Sequence, residues 1–91
     1  MTKLLPSELL ADPKHWTKDA IAKDQNGNRV SSLSNDAVSF CLLGACFRCN
    51  CEIEYLISII RARGFSSLAA FNDDSRTTYE DILSVLEEAG L

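Results

Sequence analysis

The sequence predicts a mainly α, α+β fold in which three to four helices pack around a buried central helix, with a small β-hairpin near residues 17–31. Three observations carry that prediction. The run "DAVSFCLLGACFRC" holds no charge between Asp36 and Arg48, which is too apolar for a helix on a surface. Two later stretches repeat apolar residues at the helical period, and Asn26-Gly27 lies between two short extended pieces, the strongest short-range hairpin signal. Ninety-one residues, 46% of them apolar, are enough for one small core, so residues 1–91 form one domain with residues 1–15 as a leading segment packed on it.

Taken in order, Pro6-Ser-Glu opens one or two helical turns that Asp12-Pro13 ends, and Leu4, Leu5, Leu9 and Leu10 supply apolar contact. Asn26-Gly27 then turns a short ribbon. Ser34 stands at an N-cap position with Asp36 in the first turn, which starts the apolar helix there. Gly44 costs such a helix about 1 kcal/mol relative to alanine, so another segment is expected to cross closely at that point. Asn50 caps the next helix, with Glu52 and Glu54 near its start, Arg61 and Arg63 near its end, Gly64 beyond, and Ile53, Leu56, Ile57 and Ile60 as its buried stripe. The last helix buries Tyr79, Ile82, Leu83 and Leu86, and Thr77 with Glu80 fits a capping box. Asn72-Asp73-Asp74 reads as a turn, since these side chains bond the backbone two residues on.

Chemistry is harder to find. Cys41, Cys46, Cys49 and Cys51 crowd into eleven residues, but at about 100° per residue Cys41 and Cys46 stand roughly 140° apart on a helix and cannot converge on one ion. Free buried thiols are the expectation, and neither a metal nor a cofactor is expected. His15, the single histidine, has no orienting partner in the sequence for nucleophilic work. No phosphate loop or nucleotide fingerprint appears. The sparser possibility is a shallow pocket floored by Trp16 and rimmed by Lys18, Asp24, Asn72 and Asp73, with Arg76 beside it.

Charge is more informative. Residues 1–33 carry five Lys/Arg and four Asp/Glu, a balance of +1, and residues 34–91 carry four and nine, a balance of −5, which together give the net −4. An acidic chain argues against duplex nucleic acid and toward a protein with a basic surface. Glu52, Glu54, Glu80, Asp81, Glu87 and Glu88 make the candidate partner surface, and a homodimer is a second way to use such a surface. No basic n-region leads into an apolar stretch and no window approaches the roughly 18 apolar residues of a membrane span, so a cytoplasmic protein without a membrane partner is expected.

Three segments, "HWTKDAIAKDQNGNRV", "DAVSFCLLGA" and "FNDDSRTTYEDIL", resemble a family of small bacterial and phage proteins of unknown function. The shared pattern falls on Trp16, Ala20, Ala22, Lys23, Asp24 and Gly27, then on Cys41, Gly44 and Ala45, then on Asn72, Asp73, Arg76, Thr77 and Glu80. Phe71 stands where the family usually has tryptophan, and Lys23 where arginine is common. The resemblance implies a common architecture and no catalytic residues, and its phage members imply a virus-encoded accessory role. The function expected from residues and resemblance together is a small acidic, non-enzymatic interaction protein, a phage accessory or anti-defence inhibitor of a host protein. The alternative is a small-ligand or nucleotide-binding domain using the pocket near Trp16 and Asn72-Asp73.

Overall fold

Five helices and one two-stranded antiparallel sheet make up the structure, a computed structural model that describes residues 4–91. In chain order these are α1 (Pro6–Leu9), a 3-10 turn (Pro13–His15), β1 (Ala22–Lys23), β2 (Ser39–Phe40), α2 (Leu42–Arg48), α3 (Glu54–Ala62), α4 (Leu68–Asp73) and α5 (Tyr79–Ala89). The mainly α class with a small β element is therefore the observed one. Leu10, Leu42, Ala45, Cys46, Leu56, Ile60, Ile82, Val85 and Leu86 are buried in one core to which α1, α2, α3 and α5 all contribute. Burying each large aliphatic side chain contributes about 1.5–3 kcal/mol, which is what holds helices of only four to eleven residues in place.

The leading segment docks through Leu10 and Leu9, and Ser7 is bonded by both its N–H and its hydroxyl to the carbonyl of Leu91, which ties the two ends together. Leu4 and Leu5 do not pack as expected, because both remain exposed. Met1–Lys3, the start of that segment, lie outside the described residues.

The Asn26-Gly27 turn lies where the sequence places it. Asp24 and Asn28 bond across it, Lys23 bridges to Arg29, and Gly27 adopts φ +82, open to glycine without a Cβ penalty. The regular ladder, however, pairs β1 with β2 rather than with the far arm of that turn: Ala22 faces Phe40 and Lys23 faces Ser39. This pairing corrects the expected start of the central helix. Ser34 caps no helix; its hydroxyl accepts from the Asp36 N–H in a local turn, residues 39–40 are strand, and α2 begins only at Leu42. Cys41 is its N-cap, the thiol sulfur accepting from the Gly44 N–H at 3.2 Å. The remaining helix is the buried central one, with Leu42, Gly44, Ala45 and Cys46 inside.

Gly44 marks a close crossing, as its cost to the helix suggested. A Cβ built there would lie 2.0 Å from the Ile21 carbonyl oxygen, so the loop before β1 passes against α2 only because the side chain is absent. Asn50 is not a cap either: it turns the chain between α2 and α3 at φ +53, and Ile53 holds the N-cap position of α3. In α5 the capping box is one residue later than expected. Thr78 accepts from the Asp81 N–H at 3.2 Å and Asp81 accepts from the Thr78 N–H at 2.9 Å, while Thr77 is buried. Its inward face is Ile82, Val85 and Leu86, with Tyr79 and Leu83 half-buried at the margin.

Candidate functional site

Asn72 occupies the last turn of α4 rather than a free turn, and no solvent reaches it. Helical geometry aims its side chain at the junction of α2, the 3-10 turn and the loop that follows, and all of its polar capacity is used there. Oδ1 accepts from the Trp16 indole N–H at 2.6 Å and from the Leu42 backbone N–H at 2.9 Å. Nδ2 donates to the Thr17 carbonyl at 3.0 Å and to Asp73 Oδ1 at 2.9 Å. A carboxamide suits this position because it alone among short side chains offers two acceptor lone pairs and two donors. Leu42 opens α2, so its N–H is one of the orphan donors of a helix start, and Asn72 caps it from thirty residues away.

Around that hub the other candidates fall into place or away from it. Asp73 Oδ1 also accepts from the Asp19 N–H at 2.9 Å, which holds Asp19 at φ +65, a left-handed conformation that aspartate tolerates better than most residues. Lys18 lies with its ammonium 5.4 Å from the Trp16 ring centroid and donates to the carbonyls of Asp74 at 2.7 Å and Thr77 at 3.0 Å. Trp16 is half-buried, with the Tyr79 ring 6.2 Å away, and the Tyr79 hydroxyl donates to the Leu10 carbonyl. Trp16, Lys18, Asn72 and Asp73 are thus brought together. Arg76 borders them through Asp74 only, forming an exposed two-nitrogen pair with its carboxylate at 3.1 and 3.2 Å. That guanidinium holds the Asp74 carboxyl below its ordinary range. Asp24 belongs elsewhere: it accepts from the N–H groups of Asn26 and Asn28, which lower its pKa, and lines a polar hollow with Asn35 and Asp36.

Chemically, most of the cluster's polar capacity is spent on its own members, the exceptions being the third Lys18 ammonium donor and Asp73 Oδ2. The indole N–H, the carboxamide and the ammonium, which a ligand would need, are all engaged within the chain. Thr17, Asp19, Leu42 and Tyr79 complete the cluster and were not among the site residues read from the sequence, where Tyr79 was placed only on the buried face of the last helix. Only Asp19 left a trace of its site role in the sequence, as a residue type that accepts positive φ; the others enter through a backbone group or a ring position that no local pattern marks.

The four cysteines are thiols rather than disulfides, with Cys41, Cys46 and Cys49 buried. Burial, helped by the neighbouring sulfurs of Cys51, Cys49 and Cys41, pushes the Cys46 pKa up to about 12, and burial likewise raises Cys41. A thiol held protonated is a poor nucleophile and a poor metal ligand. Among the described residues no three or more His, Cys, Asp or Glu are placed to share a metal ion.

The acidic candidates are dispersed over α3, α5 and the link before α3, because Glu52, expected near the start of that helix, stands two residues ahead of it. Glu52, Glu54, Glu80 and Glu87 are exposed, and among the described residues no ion pair involves them. Glu88 pairs with Arg63 at 3.0 Å, and Asp81 is spent on the α5 cap. No helix among the described residues is long and apolar enough to cross a membrane.

A small helical protein pinned by a buried asparagine, with no assembled reactive centre among its described residues, is the class that fold and site define. The chain belongs to a family of unknown function, DUF6197, which matches it over residues 7–90. That span contains the whole Trp16–Asn72 cluster together with Lys18, Asp19, Asp73, Asp74 and Arg76. No curated protein and no solved structure shows a significant match.

Proposed function

We propose that this protein is a non-enzymatic binding protein that presents an acidic helical surface to a basic region of a partner protein. The carrying observation is the set of exposed carboxylates on Glu52, Glu54, Glu80 and Glu87, which form no ion pair among the described residues and which the core and the caps do not require. Glu54 and Glu80 do gain from the dipole in first turns, but Glu87 stands near the end of α5, where the dipole favours a cation. Negative charge placed against that preference supports a role outside folding. Such a field extends over a Debye length of about 8 Å at physiological salt and speeds encounter more than it tightens a complex. A phage-encoded accessory or inhibitory role is the setting implied by the resemblance of its motifs. The alternative of a small-ligand or nucleotide site at Trp16 and Asn72-Asp73 has less support, because the groups that would recognise a ligand are consumed by the fold.

The test uses Glu52→Lys/Glu87→Lys, which spares the Arg63–Glu88 pair and the capping box. With the partner recovered by crosslinking in the native host, association rates are measured at two salt concentrations. The expected result is an association rate lower by about three- to tenfold at low salt, with a flatter salt dependence and a nearly unchanged dissociation rate. An unchanged association rate in both salts removes the acidic surface from the mechanism.

A further inference from the structure

Two adjoining hollows run along α4. One, of about 210 Å3, is lined by Leu43, Ile53, Ile57, Arg61, Leu68 and Ala69 among others. The second, of about 260 Å3, is lined by Asp19, Ile21, Cys41, Leu43, Ala69 and Asp73 among others. Leu43 and Ala69 belong to both, so the hollows are halves of one trough bounded by α2, α3, α4 and the loop before β1. The trough follows the six residues of α4, Leu68–Asp73, about 9 Å at 1.5 Å per residue. Apolar surface continues at its edges, with Ile21 38% exposed and Phe47, one turn beyond Leu43 on α2, 47% exposed.

The ends of this trough are oppositely charged. Arg61 marks one, Asp19 and Asp73 the other, and among the described residues no ion pair involves any of the three. Asp73 accepts both of its hydrogen bonds through Oδ1, so Oδ2 keeps its capacity to accept. At the loop wall the Ile21 carbonyl already accepts from the Cys41 N–H at 3.1 Å and the Asp19 N–H already donates to Asp73 at 2.9 Å, and the remaining walls are helices. An occupant therefore makes side-chain contacts and must satisfy its own backbone, which a helix does and an added strand does not.

We propose that the trough docks an amphipathic helical segment of a partner protein, with two or three apolar side chains over Leu43 and Ala69, a Lys or Arg beside Asp19 and Asp73, and an Asp or Glu beside Arg61. A second copy of the chain fits less well: two concave troughs facing each other leave the middle empty, and two chains of net charge −4 repel. The inference rests on the reading of this chain as a binding protein but is tested with Ala69, Arg61 and Asp19 variants that leave the Glu52 and Glu87 carboxylates in place, so the failure of one is distinguishable from the failure of the other.

A random library of displayed 14-residue peptides is selected on the wild-type protein and counter-selected on Ala69→Arg, which fills the junction from an exposed helical position. The expected winners space apolar residues at i, i+3 or i+4 and i+7, with a basic residue at one end and an acidic one at the other. A synthetic peptide of that sequence, followed by fluorescence polarisation, should bind Ala69→Arg about tenfold or more weakly while circular dichroism shows that variant folded. Arg61→Glu should shift preference to a peptide whose acidic end is made basic, and Asp19→Asn should weaken the original peptide. Equal binding to Ala69→Arg, indifference to charge reversal, an unenriched library, or a dimer in sedimentation that Ala69→Arg dissolves would each overturn the proposal.

Discussion

Replacing Asn72 by alanine should be among the most damaging single changes available outside the apolar core. It strands the buried Leu42 N–H, which then loses its only cap, at a cost of about 2 kcal/mol within the 1–3 kcal/mol range for an orphaned buried donor. The Trp16 N–H and the Thr17 carbonyl are only half-buried and can find water, so together they add about 1 kcal/mol. Loss of the carboxamide volume from a site with no solvent access adds about 1 kcal/mol more. The total, about 4 kcal/mol, is a large part of the roughly 5–14 kcal/mol expected for a chain of this length, and at about 4 °C or more per kcal/mol it lowers the melting temperature by at least about 15 °C. Trp16 is the single tryptophan, so its fluorescence in a urea titration reads both global unfolding and the local hub. The partner variant Trp16→Phe removes one donor, and the pair should be less than additive by about 1 kcal/mol because both delete the same bond. A midpoint for Asn72→Ala within about 0.5 kcal/mol of wild type, or strict additivity with Trp16→Phe, would refute the assignment of Asn72 as the pin between α4 and α2.

Gly44→Ala drives a Cβ into the Ile21 carbonyl, a backbone atom with no rotamer to escape through, and should cost about 3 kcal/mol or more, whereas Gly27→Ala meets open space and should cost about 1 kcal/mol for its positive φ; thermal melts of the two separate them. Alkylation of native protein at pH 8, followed by peptide mass spectrometry, should label half-buried Cys51 first and Cys46 last, and early labelling of Cys46 would contradict its burial. The Asp74 carboxyl is held below its unfolded value of 3.8, so its contribution to stability is complete above that pH and disappears as pH falls through the lower folded value. Asp74→Asn should therefore differ from wild type at pH 6 and converge with it near pH 2 in melting temperature, and a constant difference across that range would refute the ion pair's role.

Local physics made much of this protein legible in its sequence. The Asn26-Gly27 turn needs only the φ tolerance of its own residues, the 3.6-residue period placed Leu56 and Ile60 of α3 and Ile82 and Leu86 of α5 inside while missing Ile59 and Val85, and Gly44 announced a close neighbour because a glycine in an apolar helix costs stability unless something requires it. What local pattern could not decide was where α2 begins. Asp36 to Phe40 has the composition of a helix, yet Ser39 and Phe40 are drawn into strand pairing with Ala22 and Lys23, and the first free N–H of the helix is met by an asparagine thirty residues later. The same separation in sequence hid the meaning of Asn72 and Asp73, read as a turn because their usual bonds are local, although here they reach to residues 16–19 and 42 instead. The charged trough is equally a product of assembly: Asp19, Leu43, Ile57, Arg61 and Ala69 are each unremarkable in their own segments, and only packing of α2, α3 and α4 sets their apolar surfaces side by side with opposite charges at the two ends. Periodicity and turn chemistry act over a few residues and so can be read along the chain, whereas caps, strand partners and shared surfaces depend on which distant residues the core brings into contact.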